Sequence, residues 1–299
     1  MIVFLGMVLD GLLGEPKWLW SRVPHPAVLM GRAVGWCDAR FNEGEARKLK
    51  GITVMAALAL AAMLVGFALA AVPGRAVDVV VLAILLAHRS LSDHVKAVAA
   101  GLRQSREAGR RAVAQIVGRD TTDMDEPAIA RAAIESAAEN FSDGVIAPLF
   151  WFIVAGLPGL LLYKITNTAD STIGYLSPRH AKFGWAAAKL DDVLNWVPAR
   201  LTAGLVLLAA RRAGLWQEVW DDAPLHRSPN AGWPEAAFAH SLHVALSGPR
   251  SYGGTLIDYP FVNPRGIREL GPEHVQEAVD LLWVCWAVAL FPAFLVALF

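Results

Sequence analysis

Apolar residues run without a charge from Gly51 to Val72, GITVMAALALAAMLVGFALAAV, over 22 positions. As a helix this stretch is long enough to cross roughly 30 Å of hydrocarbon, so the pattern predicts a membrane span at 51–72. Pro73-Gly74-Arg75 interrupts it. The shorter apolar run that follows, Val77 to Ala87, predicts with its flanks (74–88) a return helix that forms a hairpin with the first. Near the other end, LLWVCWAVALFPAFLVALF (281–299) has 19 uncharged residues and predicts a third span, since a proline such as Pro292 is tolerated in a membrane helix. Three further segments carry weaker signals. Residues 1–13 are apolar up to Asp10, with no basic leader, and are expected to be retained. Residues 197–210 are short, and Arg200 among them must face protein or snorkel to an interface. Residues 145–165 contain Pro148 and Gly156-Leu157-Pro158-Gly159, which break or kink a helix, so a re-entrant or broken crossing is expected there.

Between these runs the periodicity stays helical. Asp125-Glu126-Pro127 has the chemistry of a helix start, and Ile129, Ala132, Ala133 and Ala137 continue it at helical spacing. Ala181 to Leu194 predicts another helix. Period-two alternation of β-branched residues is almost absent outside the apolar runs. The expectation is therefore an all-α, polytopic membrane helical bundle, a single integral domain over 1–299 with a cytoplasmic helical region at 89–144. Orientation comes from the loops: residues 14–50 hold Lys17, Arg22, Arg32, Arg40, Arg47, Lys48 and Lys50, and 88–144 hold Lys96 and seven arginines. By the positive-inside rule both face the cytoplasm.

Composition agrees with a membrane setting, with 55% hydrophobic and 18% charged residues and a mean hydropathy of +0.42. Lys plus Arg and Asp plus Glu number 27 each, so no net field attracts nucleic acid. Cys37 and Cys285 stand far apart without C-x-x-C spacing and read as packing residues.

The polar residues that remain are grouped. In IESAAENFSDGVIAPLF, Glu135, Glu139 and Asp143 recur every four residues, which on a helix drifts by only about 40° per step and places them on one face with Asn140 close by. Like charges at that spacing cost an isolated helix about 0.2–0.5 kcal/mol per pair unless a cation or proton lies between them. A solvated face is the plain alternative, but this stripe abuts an apolar segment. A second group, YKITNTADSTIGY, aligns Asn167, Asp170 and Ser171. A third, AAAKLDDVLNWVPARL, sets Asp191 or Asp192 within helical reach of Asn195, with Arg200 further on. Faces rich in oxygen suit Mg²⁺, which takes one or two carboxylates with phosphate and water. Asn167 as a cap, Asp170 as a solvated charge and Asp191 paired with Lys189 or Arg200 are the ordinary alternatives. No G-x-x-x-x-G-K-[ST], G-x-S-x-G, H-E-x-x-H or G-x-G-x-x-G motif occurs, and His240 with His243 reads as a surface pair.

Taken in order, LDGLLGEP with PHPAVLMGR, ESAAENFSDGVIAPLF, NTADSTIGY, FGWAAAKLDDVLNWVPARLTA, DAPLHRSPNAGWPEAAFA and YGG at 252–254 resemble the membrane-bound adenosylcobinamide-phosphate synthase family of cobalamin biosynthesis. The resemblance covers nearly the whole chain. It implies an inner-membrane enzyme, active on the cytoplasmic side, that joins aminopropanol or its phosphate to a propionate of adenosylcobyric acid through an amide, with ATP and Mg²⁺ as cofactors. A carboxylate reacts with an amine only after its oxygen becomes a leaving group, which calls for Mg²⁺ and cationic clamps. Asp170, Asp191 and Asp192 are then expected at the metal. Arg32, Arg200 and Arg227 are expected at phosphate, because the guanidinium fork binds it in two places. Asp10, His25, Asn140, Asn167, Asn195, Asn230, Trp233 and Glu235 are expected at substrate, and Glu135, Glu139 and Asp143 at the proton transfers. The bilayer is an expected partner and nucleic acid is not; a second copy or other enzymes of the pathway remain open as partners. Two other classes compete: a small-solute transporter, for which broken helices with intramembrane Asp and Asn speak, and a Mg²⁺-dependent prenyltransferase-like enzyme, whose D-D-x-x-D spacing is not met.

Overall fold

In the computed structural model the described residues are 1–118, 120–252 and 255–298; Arg119, Phe299 and the two glycines of the YGG string lie outside them. The chain divides into two compact units, Met1–Ala87 with Asp143–Trp196 and His88–Ser142 with Val197–Phe299. Nearly all regular structure is helical. The helices are α1 (Ile2–Leu13), α2 (Lys17–Trp20), α3 (Pro26–Phe41), α4 (Arg47–Ala70), α5 (Ala76–Leu85), α6 (His88–Gln104), α7 (Arg106–Val113), α8 (Glu126–Phe141), α9 (Ala147–Ile173), α10 (Trp185–Ala209), α11 (Trp216–Asp222), α12 (Gly232–Leu242) and α13 (Pro272–Ala297). Four short strands, β1 (Leu246–Ser247), β2 (Arg250–Tyr252), β3 (Thr255–Ile257) and β4 (Phe261–Val262), pair antiparallel as β1–β4 and β2–β3.

Among the described residues four helical runs are long and apolar enough to cross a membrane: Arg47–Ala70, the continuous run Glu126–Ile173, Trp185–Ala209 and Pro272–Ala297. The expected return helix at 74–88 forms, but its helical part is the 10-residue α5, well short of the roughly 20 residues of a crossing. The weak signal at 197–210 is the second half of the 25-residue α10, which runs through Pro198. Proline has no N–H, so the Leu194 carbonyl one turn earlier loses its helical donor. Trp151 Nε1 donates to it instead at 3.0 Å, the kind of outside partner that lets a membrane helix carry proline. The break expected in 145–165 falls at Ala155 and Gly156, the latter at φ 61°, a conformation glycine adopts without strain.

In the first unit, α4 packs along α9 and α3 also lies on α9. Val34, Met55, Ile165, Ala169, Ile173, Phe183 and Ala187 form its core. Gly51 meets the Phe183 carbonyl and Gly66 meets Pro158, both so closely that a Cβ at either glycine would collide with backbone. This is the small-residue approach that packs helices where the surroundings are apolar. At one end Arg179, in the loop before α10, donates to Asp38 of α3 at 2.6 and 3.1 Å, and Asn42 donates to the Arg179 carbonyl at 3.1 Å. Burial works against the Asp38 carboxylate, but the hydrogen bonds from Arg179 and Asn42 and the charges of Arg179 and His180 outweigh it and hold its pKa below the usual carboxylate value.

The second unit packs α6, α8 and α13 on one another, with α12 against α8. Val95, Val98, Ile129, Ala133, Phe141, Val275 and Leu282 are fully enclosed. α8 begins as its sequence indicates: Asp125 caps it, accepting from Ala128 N at 2.9 Å, and Pro127 sits in the first turn.

Candidate functional site

A chain of polar groups crosses the apolar interior of the first unit. Tyr163, fully buried on α9, places its hydroxyl 3.0 Å from both Asn195 Oδ1 and the Asp143 carbonyl. Asn195, itself 1% exposed, donates through Nδ2 to Asp191 Oδ2 at 2.9 Å, and Asn167 Nδ2 reaches Asp191 Oδ1 at 3.5 Å. Ala147 and Leu194 pack on the Tyr163 ring, with Trp151, Leu162 and Leu190 around them. Of the two neighbouring aspartates, Asp191 joins this chain; Asp192 pairs with Lys189 at 2.9 Å. Asp170, on α9 beside Gly174, whose missing Cβ leaves room for its carboxylate, is near enough to Asp191 and Asp192 for their charges to interact.

The first unit also holds three more of the residues expected at substrate or phosphate. Asp10 is buried in α1. His25 caps α3, its Nδ1 accepting from Ala27 N at 3.2 Å, so that Nε2 carries the proton toward the Ile84 carbonyl at 3.1 Å. Arg32 is exposed on α3.

Even spacing predicted Glu135, Glu139 and Asp143 on one helical face, and the structure changes helix type between the second and the third. α8 ends at Phe141, and Ser142–Ile146 is a π turn, so the α-helical register that would align Asp143 with Glu139 stops before it. Their surroundings differ too: Glu135 is buried, Glu139 exposed and Asp143 half-buried. Outside donors satisfy the turn, the Asp143 carbonyl receiving Tyr163 and the Gly144 carbonyl receiving Ala87 N at 3.1 Å. Single π turns inside helices recur at functional sites.

Within the second unit the predicted residues fall into two groups. Glu135 Oε1 accepts from Ser247 N at 2.7 Å, tying α8 to a residue of β1 held at φ 61°. Asn140, exposed at the end of α8, donates back to Ser136. Away from these, Arg200 lies 4.6 Å over the Trp233 ring and 3.3 Å from Asn230 Oδ1, and Trp216 and Trp220 flank Trp233. So the arginine expected at phosphate meets the asparagine and tryptophan expected at substrate. Glu235 is buried, 3.5 Å from His226 Nε2, whose Nδ1 accepts from Ser228 N. Arg227 is exposed in the loop before α12. His240 and His243 are not a pair: the first bonds Asp222 at 2.8 Å and the second lies 3.0 Å from Arg212.

Sequence reading missed Tyr163, Trp151 and His226. A tyrosine just before the NTADST string, inside an apolar run, is the one signal that pointed to Tyr163, since a buried phenol needs a partner. Among the described residues no three His, Cys, Asp or Glu converge as a metal cage. Asp191 and Asp170 nevertheless supply the one or two carboxylates that Mg²⁺ takes when phosphate and water complete its shell, with the Asn195 and Asn167 amides turning their NH₂ groups to Asp191.

No solved structure matches the chain. The profile of a family described as "CobD/Cbib protein" matches residues 3–282. The chain is 46% identical over 310 residues to "Cobalamin biosynthesis protein CobD" of Sinorhizobium sp, covering 97% of this chain and 96% of that one. It is 47% identical to the protein of that name from Brucella suis biovar 1, covering 94% and 92%, and 44% identical to that of Rhodobacter capsulatus, covering 88% and 86%. With a profile spanning almost its whole length and relatives at this identity, the chain belongs to the CobD/Cbib family.

Proposed function

We propose that the chain is an amide-forming synthase of cobalamin biosynthesis, attaching aminopropanol or aminopropanol phosphate to a propionate of adenosylcobyric acid. The observation that carries this reading is the buried chain Tyr163–Asn195–Asp191–Asn167 with Asp170 beside it. Two carboxylates that interact in an apolar surround favour a cation between them. Asp191 and Asp170 would hold Mg²⁺, with Asp192 at the edge of the set. Mg-ATP supplies the phosphoryl group that makes a carboxylate oxygen a leaving group.

Everything else falls to side chains. Tyr163 fixes the Asn195 amide so that its Nδ2 faces Asp191, which orients that carboxylate. Arg200, stacked on Trp233, offers the second unit's guanidinium to a phosphate. Arg227 and the first unit's Arg32 add exposed cations for the same ligand class. Of the two glutamates, the exposed Glu139 is assigned as proton acceptor for the incoming amine, and the buried Glu135 ties α8 to Ser247. The reaction is assigned to the cytoplasmic side of the inner membrane. Purified protein incubated with adenosylcobyric acid, aminopropanol phosphate and Mg-ATP is expected to give the amide, read by mass spectrometry. Passage of these solutes into proteoliposomes with no amide formed would instead make the chain a transporter.

A further inference from the structure

Residues 174–184 join α9 to α10, and both helices belong to runs able to cross a membrane, so this loop lies at a membrane edge. The start of α4 reaches the same edge, since Gly51 packs on the Phe183 carbonyl and Lys48 Nζ lies 4.0 Å from the Trp185 ring centroid. Anchored by Arg179 and Asn42 on Asp38, the loop nevertheless presents Leu176 at 94% and Tyr175 at 57% exposure. A leucine held outward on an anchored turn leaves apolar surface in water unless something apolar covers it.

Charge says what covers it. Residues 38–50 and 174–185 carry Arg40, Arg47, Lys48, Lys50, Arg179 and Lys182 against Asp38, Glu43 and Glu45, an excess of three positive charges. Lys48 lies over the exposed Trp185, an aromatic and basic pairing typical of the headgroup layer, where the ring is amphipathic and the ammonium snorkels outward. We propose that this edge of the first unit is a docking surface for anionic phospholipid headgroups, with Leu176 and Tyr175 entering the headgroup layer and Lys48 and Lys182 holding the phosphates.

The test uses the full chain carrying Leu176→Cys with a nitroxide label, reconstituted in vesicles of phosphatidylcholine with or without phosphatidylglycerol. Cys37 and Cys285 are buried, which leaves position 176 to the reagent. In mixed vesicles the label should collide with oxygen in preference to a water-soluble nickel chelate, and nickel collisions should rise in pure phosphatidylcholine. Lys48→Ala and Lys182→Ala should each weaken the phosphatidylglycerol preference roughly fivefold. Tyr175→Cys provides an independent label position. Labels at both positions equally exposed to nickel in both vesicle types would overturn the proposal, and so would protection that appears only when another protein is added.

Discussion

Tyr163 has one hydroxyl proton and two acceptors at 3.0 Å, the Asp143 carbonyl and Asn195 Oδ1. Tyr163→Phe keeps the ring and leaves buried oxygens short of a donor, so it should destabilise the protein by about 1–3 kcal/mol, read as a lower melting temperature in detergent. Asp38 should titrate visibly. Its pKa lies lower in the folded chain than in the unfolded one, so its contribution is complete above the unfolded value and is lost as pH falls through the folded one, in the acid range below the usual carboxylate pKa. Melting temperatures from pH 5 downward should fall further for the wild type than for Asp38→Asn; equal falls would remove Asp38 as the cause. At this scale the sequence showed which residues were worth watching more than what each one does. Asp191 and Asn195 stood at helical spacing and do meet, because a regular helix turns spacing into proximity, whereas Asn167 reaches Asp191 from another helix, a contact that spacing does not carry. The π turn that begins between Glu139 and Asp143 was not legible, because it leaves no mark in a string of letters.

Helices in this chain are shaped by what glycine and proline permit. Gly51 and Gly66 let α4 press on backbone, so Gly51→Ala and Gly66→Ala should each cost about 1–3 kcal/mol by overpacking. Gly35→Ala on α3, where nothing lies within 4 Å of the new methyl, should be neutral or stabilising by up to about 1 kcal/mol. Chemical denaturation of the three variants separates these outcomes. Trp151→Phe removes the indole donor that serves the Leu194 carbonyl under Pro198 and should destabilise by about 1–3 kcal/mol. The break near Gly156 was legible because Gly-Leu-Pro-Gly has no good helical solution. The continuity of α10 through Pro198 was not, since its support comes from Trp151, 43 residues before Leu194 in the chain.

The whole molecule belongs to the CobD/Cbib family and has four described helical runs long and apolar enough to span a bilayer. Long apolar runs made α4 and α13 readable at first sight; α10 was harder, because Asp191, Asp192 and Arg200 dilute its apolar character, and the length that qualifies it is a property of the folded helix. Local periodicity likewise predicted helices throughout but carried no sign of the division into two units, which arises from contacts distant in sequence. We propose that Asp191, oriented through Asn195 and Tyr163, lies at the chemistry of amide formation. The direct test is the rate of amide formation by Asp191→Ala, followed by mass spectrometry across a Mg²⁺ titration. With the variant confirmed folded by its melting temperature, the rate should fall about 10–100-fold and the Mg²⁺ requirement should rise. A variant with the wild-type rate and an unchanged Mg²⁺ dependence would contradict the claim.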